Sequence, residues 1–188
     1  YSAVFILLSG VDHLACIIFQ DTYNYYIECH QNPFRWAEYA VSASLMRVMI
    51  AELSGVTDVH LLWCLFALAA LTMLLGGIHE SVNAKARADN LKQNWYPFFV
   101  SWLAHLASWL VIFNYFFVSV SEGNPPGFVW AIIFILFLLD GTFALLFTLQ
   151  WLKIGRFSDY VVGEKGFILL SFTAKALLAW INYGGGSR

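Results

Sequence analysis

Residues 59–79 read VHLLWCLFALAALTMLLGGIH, and this run decides the class of fold. A helix needs about 20 mostly apolar residues to cross the hydrocarbon core of a bilayer. Hydrophobic residues make up 60% of the 188-residue chain, and only 12% of its residues are charged. An average globular domain carries roughly 25% charged residues. The composition therefore predicts an all-α integral membrane protein in contact with the lipid bilayer.

Five more segments qualify as membrane spans when the chain is followed outward from this run. We expect one helical bundle over residues 1–188, with a disordered tail at 184–188. The six predicted spans are about 1–19, 34–53, 59–79, 96–120, 127–152 and 166–183. Asn32 and Pro33 are typical of a helix cap and a first helical position. Because Tyr1 already lies in an apolar run, we expect the natural protein to begin further upstream.

The charges of the links predict the orientation. The links 52–60 and 121–127 contain no lysine or arginine. Most of the basic residues lie in or next to the other three links, 20–33, 80–95 and 153–165. These basic residues are Arg35, Lys85, Arg87, Lys92, Lys153, Arg156 and Lys165. Basic links favour the cytoplasmic side. We therefore expect a plasma-membrane protein whose C-terminus is extracellular.

Several classes of function are disfavoured by what the sequence lacks. The net charge is −2 and the basic residues form no patch, so no nucleic-acid partner is expected. Cys16, Cys29 and Cys64 lack metal-ligand spacing and are predicted to be free thiols. No nucleophile–base constellation or metal-ligand cluster is evident, so conventional enzyme chemistry is not expected.

Lys175 interrupts the apolar run SFTAKALLAW at residues 171–180. It lies roughly 14 Å from the cytoplasmic end of its predicted span at 1.5 Å per residue, too deep to reach the interface easily. A desolvated lysine amine is a nucleophile that condenses with a carbonyl to form a Schiff base. The alternative is a lysine that forms an ion pair with an acid for structural or ion-transport reasons.

Glu38 is the acid best placed to accompany that amine. Its predicted depth is roughly 7 Å, and lysine side chains on helices lean back toward the N-terminus. A carboxylate at that level is suited to neutralise an imine cation. Arg35 and Ser42 lie at helical spacing from Glu38, so an interfacial pair between Glu38 and Arg35 is the alternative interpretation.

Other polar residues share faces with this pair. Ser9 and His13 lie on one face of the first span, where His13 could exchange a proton or simply pack with a hydrogen bond. Ser171 lies one turn before Lys175 and either bonds the imine or bonds back to its own helix. Arg47 is rotated about 180° from Glu38 and is expected to point toward Glu52 or a subunit contact.

Two motifs resemble a known family. RWAEYAVSASLM at 35–46 and GEKGFILLSFTAKALLAW at 163–180 are similar to the third and seventh helices of heliorhodopsins. Those proteins are retinal-binding photoreceptors with an inverted membrane orientation. The resemblance covers essentially the whole chain and implies a rhodopsin-like bundle of seven helices, of which the first is absent here.

The resemblance also implies roles for individual residues. Lys175 would carry all-trans retinal as a protonated Schiff base, Glu38 would be its counterion, and Arg35 would stand below Glu38. Ser171 would lie beside the imine, and Ser9 and His13 would join a polar cluster near the counterion. A homodimer and a downstream signalling partner, not identified by the sequence, are implied as well.

These expectations predict a light sensor. After the retinal isomerises, the Schiff-base proton would move into the cluster around His13 and Ser9 and would later return. Two alternatives stay open. One is a passive light-gated proton path, for which Asp140 is the candidate residue. The other is a transporter or structural membrane protein without a chromophore, in which Lys175 and Glu38 form an ion pair.

Overall fold

The computed structural model describes residues 2–123 and 125–186, and all regular secondary structure within these ranges is helical. The prediction of an all-α fold is therefore confirmed. In chain order the helices are α1 Ser2–Ile18, α2 Gln20–Glu28, α3 Pro33–Leu53, α4 Val59–Ala88, α5 Tyr96–Glu122, α6 Gly127–Trp151, a 3-10 helix at Gly155–Ser158, and α7 Tyr160–Gly186.

The chain divides into two compact units. The first unit, Ala3–Val118, contains α1 to α4 and most of α5, and in it α3 packs along α4. The second unit begins at Ser119 and contains α6, the 3-10 helix and α7, with α6 packed along α7. A single bundle over the whole chain stays a prediction.

Three helices in the described part of the chain are long and apolar enough to cross a membrane, namely α4, α5 and α6. The pair α1 and α2, bent by 91°, makes a fourth if it forms one span. The predicted spans 34–53 and 166–183 are helical and lie within α3 and α7. The count of six spans stays a prediction.

Helices extend into segments that the sequence assigned to links. The predicted link 20–33 contains α2, and α4 continues beyond residue 79 to Ala88. The helix α7 begins at Tyr160 instead of residue 166. In each case polar residues form further helical turns, and in the extensions of α4 and α7 some of their side chains are buried, as Asn83 and Glu164 are.

The prediction of a disordered tail at 184–188 is wrong for residues 184–186, which belong to α7. Gly185 lies against the ring of Phe128 on α6, and a Cβ atom at Gly185 would overlap that ring. The glycine thus allows the end of α7 to pack closely on the start of α6. Residues 187 and 188 lie outside the described residues.

The first turn of α3 forms as expected. Asn32 is the N-cap, its side-chain oxygen accepts a hydrogen bond of 3.0 Å from the backbone N–H of Arg35, and Pro33 occupies the first helical position. The indole of Trp36, one turn into the helix, lies on the glycine pair Gly76 and Gly77 of α4. Small residues let two membrane helices approach closely, so this contact fixes how α3 lies on α4.

Replacing Gly76 with leucine should separate α3 from α4. A Cβ atom there would overlap the Trp36 ring, and overpacking costs about 1–3 kcal/mol of unfolding free energy. Thermal unfolding followed by circular dichroism in detergent measures the loss. Gly10→Leu is the matched control, because nothing lies within 4 Å of a Cβ at Gly10. Equal melting temperatures for the two variants would contradict the packing role.

Candidate functional site

Glu38 and Ser9 are in direct contact in the first unit. The Ser9 hydroxyl on α1 donates a hydrogen bond of 2.9 Å to Glu38 Oε1 on α3, and it also lies 3.2 Å from the carbonyl oxygen of Phe5. Both residues are only partly exposed. The contact joins α1 to α3 and fixes one carboxylate oxygen of Glu38.

Two neighbours of this pair are placed differently. His13 lies one turn beyond Ser9 but on the exposed side of α1, so the structure does not bring it to Glu38. Ser42 lies one turn beyond Glu38 and is fully buried, and its hydroxyl has no hydrogen-bond partner among the described residues. The Ser42 hydroxyl therefore provides a polar group for a ligand atom or a water molecule. The role of His13 stays a prediction.

Arg35 forms an ion pair with Glu80 of α4, which the sequence analysis did not single out. The two side chains are only 5% and 1% exposed. The second oxygen of Glu80 accepts a hydrogen bond of 3.0 Å from the backbone N–H of Asn32. Glu80 therefore holds the start of α3 by two contacts, one with the Arg35 guanidinium and one with the Asn32 backbone N–H. The Arg35 side chain thus pairs with α4.

Glu80 belongs to a buried polar face at the end of α4. Its members are buried almost completely: Glu80, Asn83 and Arg87 follow one another at helical spacing, and His79 adjoins Glu80. This spacing was the signal by which sequence reasoning could have found Glu80, since it continues the period of the preceding helix. Of the three basic residues in this segment Arg87 is buried, whereas Lys85 and Lys92 are exposed.

Asn83 fixes the connection between α4 and α5. Its amide nitrogen donates a hydrogen bond of 2.8 Å to the Asn94 carbonyl, and its amide oxygen accepts one of 2.6 Å from the Asn94 N–H. The His79 ring lies 5.0 Å from that of Trp95, measured between centroids. The connection is thus held by a paired amide contact and by ring packing.

Arg47 is buried against α5, which does not fit the subunit contact that was one of its two expected roles; the other, a contact with Glu52, stays a prediction. Its guanidinium carbon lies 4.3 Å from the centroid of the Trp109 ring, which is itself buried. A guanidinium over an indole face is a favourable cation–π arrangement, and it is strengthened where water is excluded. Arg47 is therefore stabilised inside the first unit.

Lys175 lies on α7 in the second unit and is only 6% exposed. It is the one buried lysine among the described residues; the others are exposed or partly exposed. Its neighbours Ala174 and Leu178 are buried as well. A buried lysine is the residue that forms Schiff bases with carbonyl compounds, so the chemistry of this position fits a covalently held aldehyde.

Ser171 lies one turn before Lys175 and is partly buried. Within residues 2–123 and 125–186 its hydroxyl makes no hydrogen bond, whereas Thr173 donates 2.8 Å back to the Leu169 carbonyl. Back-bonding of Ser171 to its own helix is therefore not observed. Its hydroxyl fits a role as a polar contact for a group held by Lys175.

The long apolar helices define the class of an α-helical integral membrane protein. The family model described as heliorhodopsin matches residues 1–186, essentially the whole chain. The chain belongs to the heliorhodopsin family. No curated protein matches it. The described residues contain no group of three or more His, Cys, Asp or Glu side chains that could hold a metal ion.

Removing the charge of Glu80 should destabilise the first unit. Glu80→Gln leaves the buried Arg35 guanidinium without its carboxylate, which costs roughly 3 kcal/mol of unfolding free energy. Replacing Arg35 and Glu80 together with methionine should recover most of this loss, because both charges are then removed. Chemical unfolding in detergent measures the difference.

Glu52→Gln on α3, the helix of Arg35, is the control, because Glu52 is exposed and its replacement should change stability by less than about 0.5 kcal/mol. If Glu80→Gln resembles this control, the ion pair does not hold α3 on α4.

Proposed function

We propose that Lys175 holds all-trans retinal as a protonated Schiff base and that the protein is a light sensor. The observation that carries the proposal is the burial of this lysine at 6% exposure in a chain of the heliorhodopsin family. When bound, retinal supplies the absorption of visible light and the isomerisation that follows. The protein supplies the amine, the counter-charge and the exclusion of water.

Glu38 provides the counter-charge in this proposal. A cation held in a low dielectric needs a nearby anion, and the side chain of Glu38 is oriented by the Ser9 hydroxyl. Because Arg35 is paired with Glu80, Glu38 is not required to neutralise Arg35.

Exposed basic residues support an orientation of the chain in the membrane. Lys85 and Lys92 flank the end of α4, and Arg156 and Lys165 flank the start of α7. Their enrichment on these connections supports a cytoplasmic location. We propose a plasma-membrane protein with an extracellular C-terminus. By its resemblance to the family it acts as a homodimer and passes the signal to a partner protein through helix movement.

Lys175→Ala should abolish colour. The protein is expressed without chromophore, incubated with all-trans retinal, and its visible absorption band is recorded. We expect a band in the unaltered protein and none in the variant, because the amine that binds the aldehyde is gone. Lys165→Ala, an exposed lysine of the same helix, is the control and should keep the band.

A folded but colourless unaltered protein would contradict the proposal. It would instead favour a chromophore-free membrane protein with a Lys175–Glu38 ion pair. Circular dichroism of the same samples separates this outcome from misfolding.

Glu38→Gln should shift the absorption band to longer wavelength. Loss of the anion destabilises the ground-state cation and so reduces the energy of the transition. Glu52→Gln, on the exposed side of the same helix, should leave the wavelength unchanged. An unshifted band in Glu38→Gln would exclude Glu38 as the counterion.

A further inference from the structure

The segment 152–165, which joins α6 to α7 and includes the first turns of α7, carries exposed cations that the proposed function has not used. Arg156 and Lys165 are exposed, and Lys153 is partly exposed. The link at the other end of α6, residues 121–127, contains no lysine or arginine. Apart from the lysine proposed to bind retinal, the basic residues of α6, α7 and their connection therefore lie in this basic segment.

Two acids lie in the basic segment, and each has a structural contact. The Asp159 carboxylate accepts a hydrogen bond of 2.9 Å from the backbone N–H of Val161, at the start of α7. Glu164 is buried, and the side-chain amide of Gln150 on α6 donates to it at 3.2 Å. The charged side chains of the segment that are exposed or partly exposed thus comprise three cations and one acid, Asp159. Positive charge therefore predominates at this surface.

Lys153 has a left-handed backbone conformation, with a φ of 56°, directly after the last turn of α6. Its backbone N–H donates to the Gln150 carbonyl at 3.2 Å, and the N–H of Ile154 donates to the Leu149 carbonyl at 3.0 Å. Glycine is usual at this position of a helix end, because a side chain is sterically unfavourable there. A lysine in its place indicates a use for the cation, either near the negative end of the α6 dipole or toward a ligand.

Exposed apolar side chains adjoin these cations. Leu152 and Ile154, on either side of Lys153 in the chain, are 53% and 49% exposed. The helix α6 has 25 residues and is about 37 Å long, whereas the hydrocarbon core of a bilayer is about 30 Å thick. When α6 crosses the bilayer, its end therefore lies near the lipid headgroups. At that level apolar side chains can contact acyl chains while long basic side chains reach the phosphates.

We propose that the basic segment binds the phosphate group of an anionic phospholipid at the bilayer surface. The planar guanidinium of Arg156 is suited to donate two hydrogen bonds to phosphate oxygens, and the lysines add positive charge. Leu152 and Ile154 contact the acyl chains next to the headgroup. These apolar contacts select a lipid over a free phosphate ion, because the ion has no acyl chain to bury.

The position of Arg156 fits this role. Its guanidinium carbon lies 5.4 Å from the centroid of the Phe157 ring, over the face of the ring. The cation–π contact involves the face of the guanidinium, whereas the N–H groups in its plane are the ones that bind phosphate. The inference does not involve retinal. It needs α6 to cross the bilayer, which its length and apolar composition allow, so its failure would leave the proposed function untouched.

The first test measures lipid binding by the full chain in detergent. Native mass spectrometry follows the retention of added dioleoylphosphatidylglycerol, which is anionic, and of dioleoylphosphatidylcholine, which is not. We expect tighter binding of the phosphatidylglycerol. Arg156→Gln should lower that affinity about fivefold, the effect of one basic residue near an anionic surface. Arg156→Lys should retain most of the affinity, because the charge is kept.

Lys85→Gln is the matched control, because it removes an exposed cation from the other basic connection. Asp89, also exposed, follows Lys85 at helical spacing and repels an anion, so the affinity should change much less. Equal losses in Lys85→Gln and Arg156→Gln would indicate a general attraction of anions to basic residues and would overturn the proposal. Equal affinity for the two lipids, or unchanged affinity in Arg156→Gln, would overturn it as well.

The second test separates a lipid from a free phosphate ion. Ile154→Ser should weaken the binding of phosphatidylglycerol, because it removes an apolar contact with the acyl chains. Val59→Ser, at an exposed apolar residue beside a link without lysine or arginine, is the control and should leave the binding unchanged. Inorganic phosphate should not displace the lipid. Displacement by phosphate, together with unchanged lipid binding in Ile154→Ser, would assign the site to a free anion and refute the lipid proposal.

Discussion

Burying a positive charge in an apolar helical protein is the constraint on which the rest of this structure depends. An isolated buried ion is costly, and three of the buried cations show or suggest different physical solutions. Arg35 forms an ion pair with Glu80, and Arg47 lies over the face of Trp109. For Lys175 we propose covalent capture of an aldehyde with Glu38 as the counter-charge.

In each unit, polar side chains near the C-terminal end of one helix form hydrogen bonds with the backbone at the start of another helix. Glu80 of α4 accepts from the Asn32 backbone at the start of α3, and Asn83 of α4 pairs with Asn94 just before α5. In the second unit Gln150 of α6 donates to the Tyr160 carbonyl at the start of α7. In a low-dielectric interior such satisfied polar contacts are strong and directional. They orient the helices that carry Glu38 and Lys175.

Much of the fold and part of the candidate site could be predicted from the sequence. The apolar runs predicted the α-helices, and Asn32 and Pro33 predicted the start of α3, because capping is a local interaction. The burial of Glu80 and Glu164 was not predicted, because hydropathy falls at each of them. The predicted span 59–79 therefore ended just before Glu80, and the span 166–183 began just after Glu164. Hydropathy describes the residue, whereas its burial depends on a partner that lies far away in the chain. The glycines at the C-terminus were misassigned for the same reason, since Phe128 packs on Gly185.

The sequence by itself determined an α-helical membrane protein with a lysine in its last helix, because composition and helical period are properties of the chain alone. The tertiary structure decided that Arg35 is paired with Glu80, that Ser9 bonds Glu38, and that Glu164 is buried beneath Gln150. These pairings depend on which side chains meet when helices pack. No local pattern specifies that choice, because several acids and several donors lie at compatible spacing.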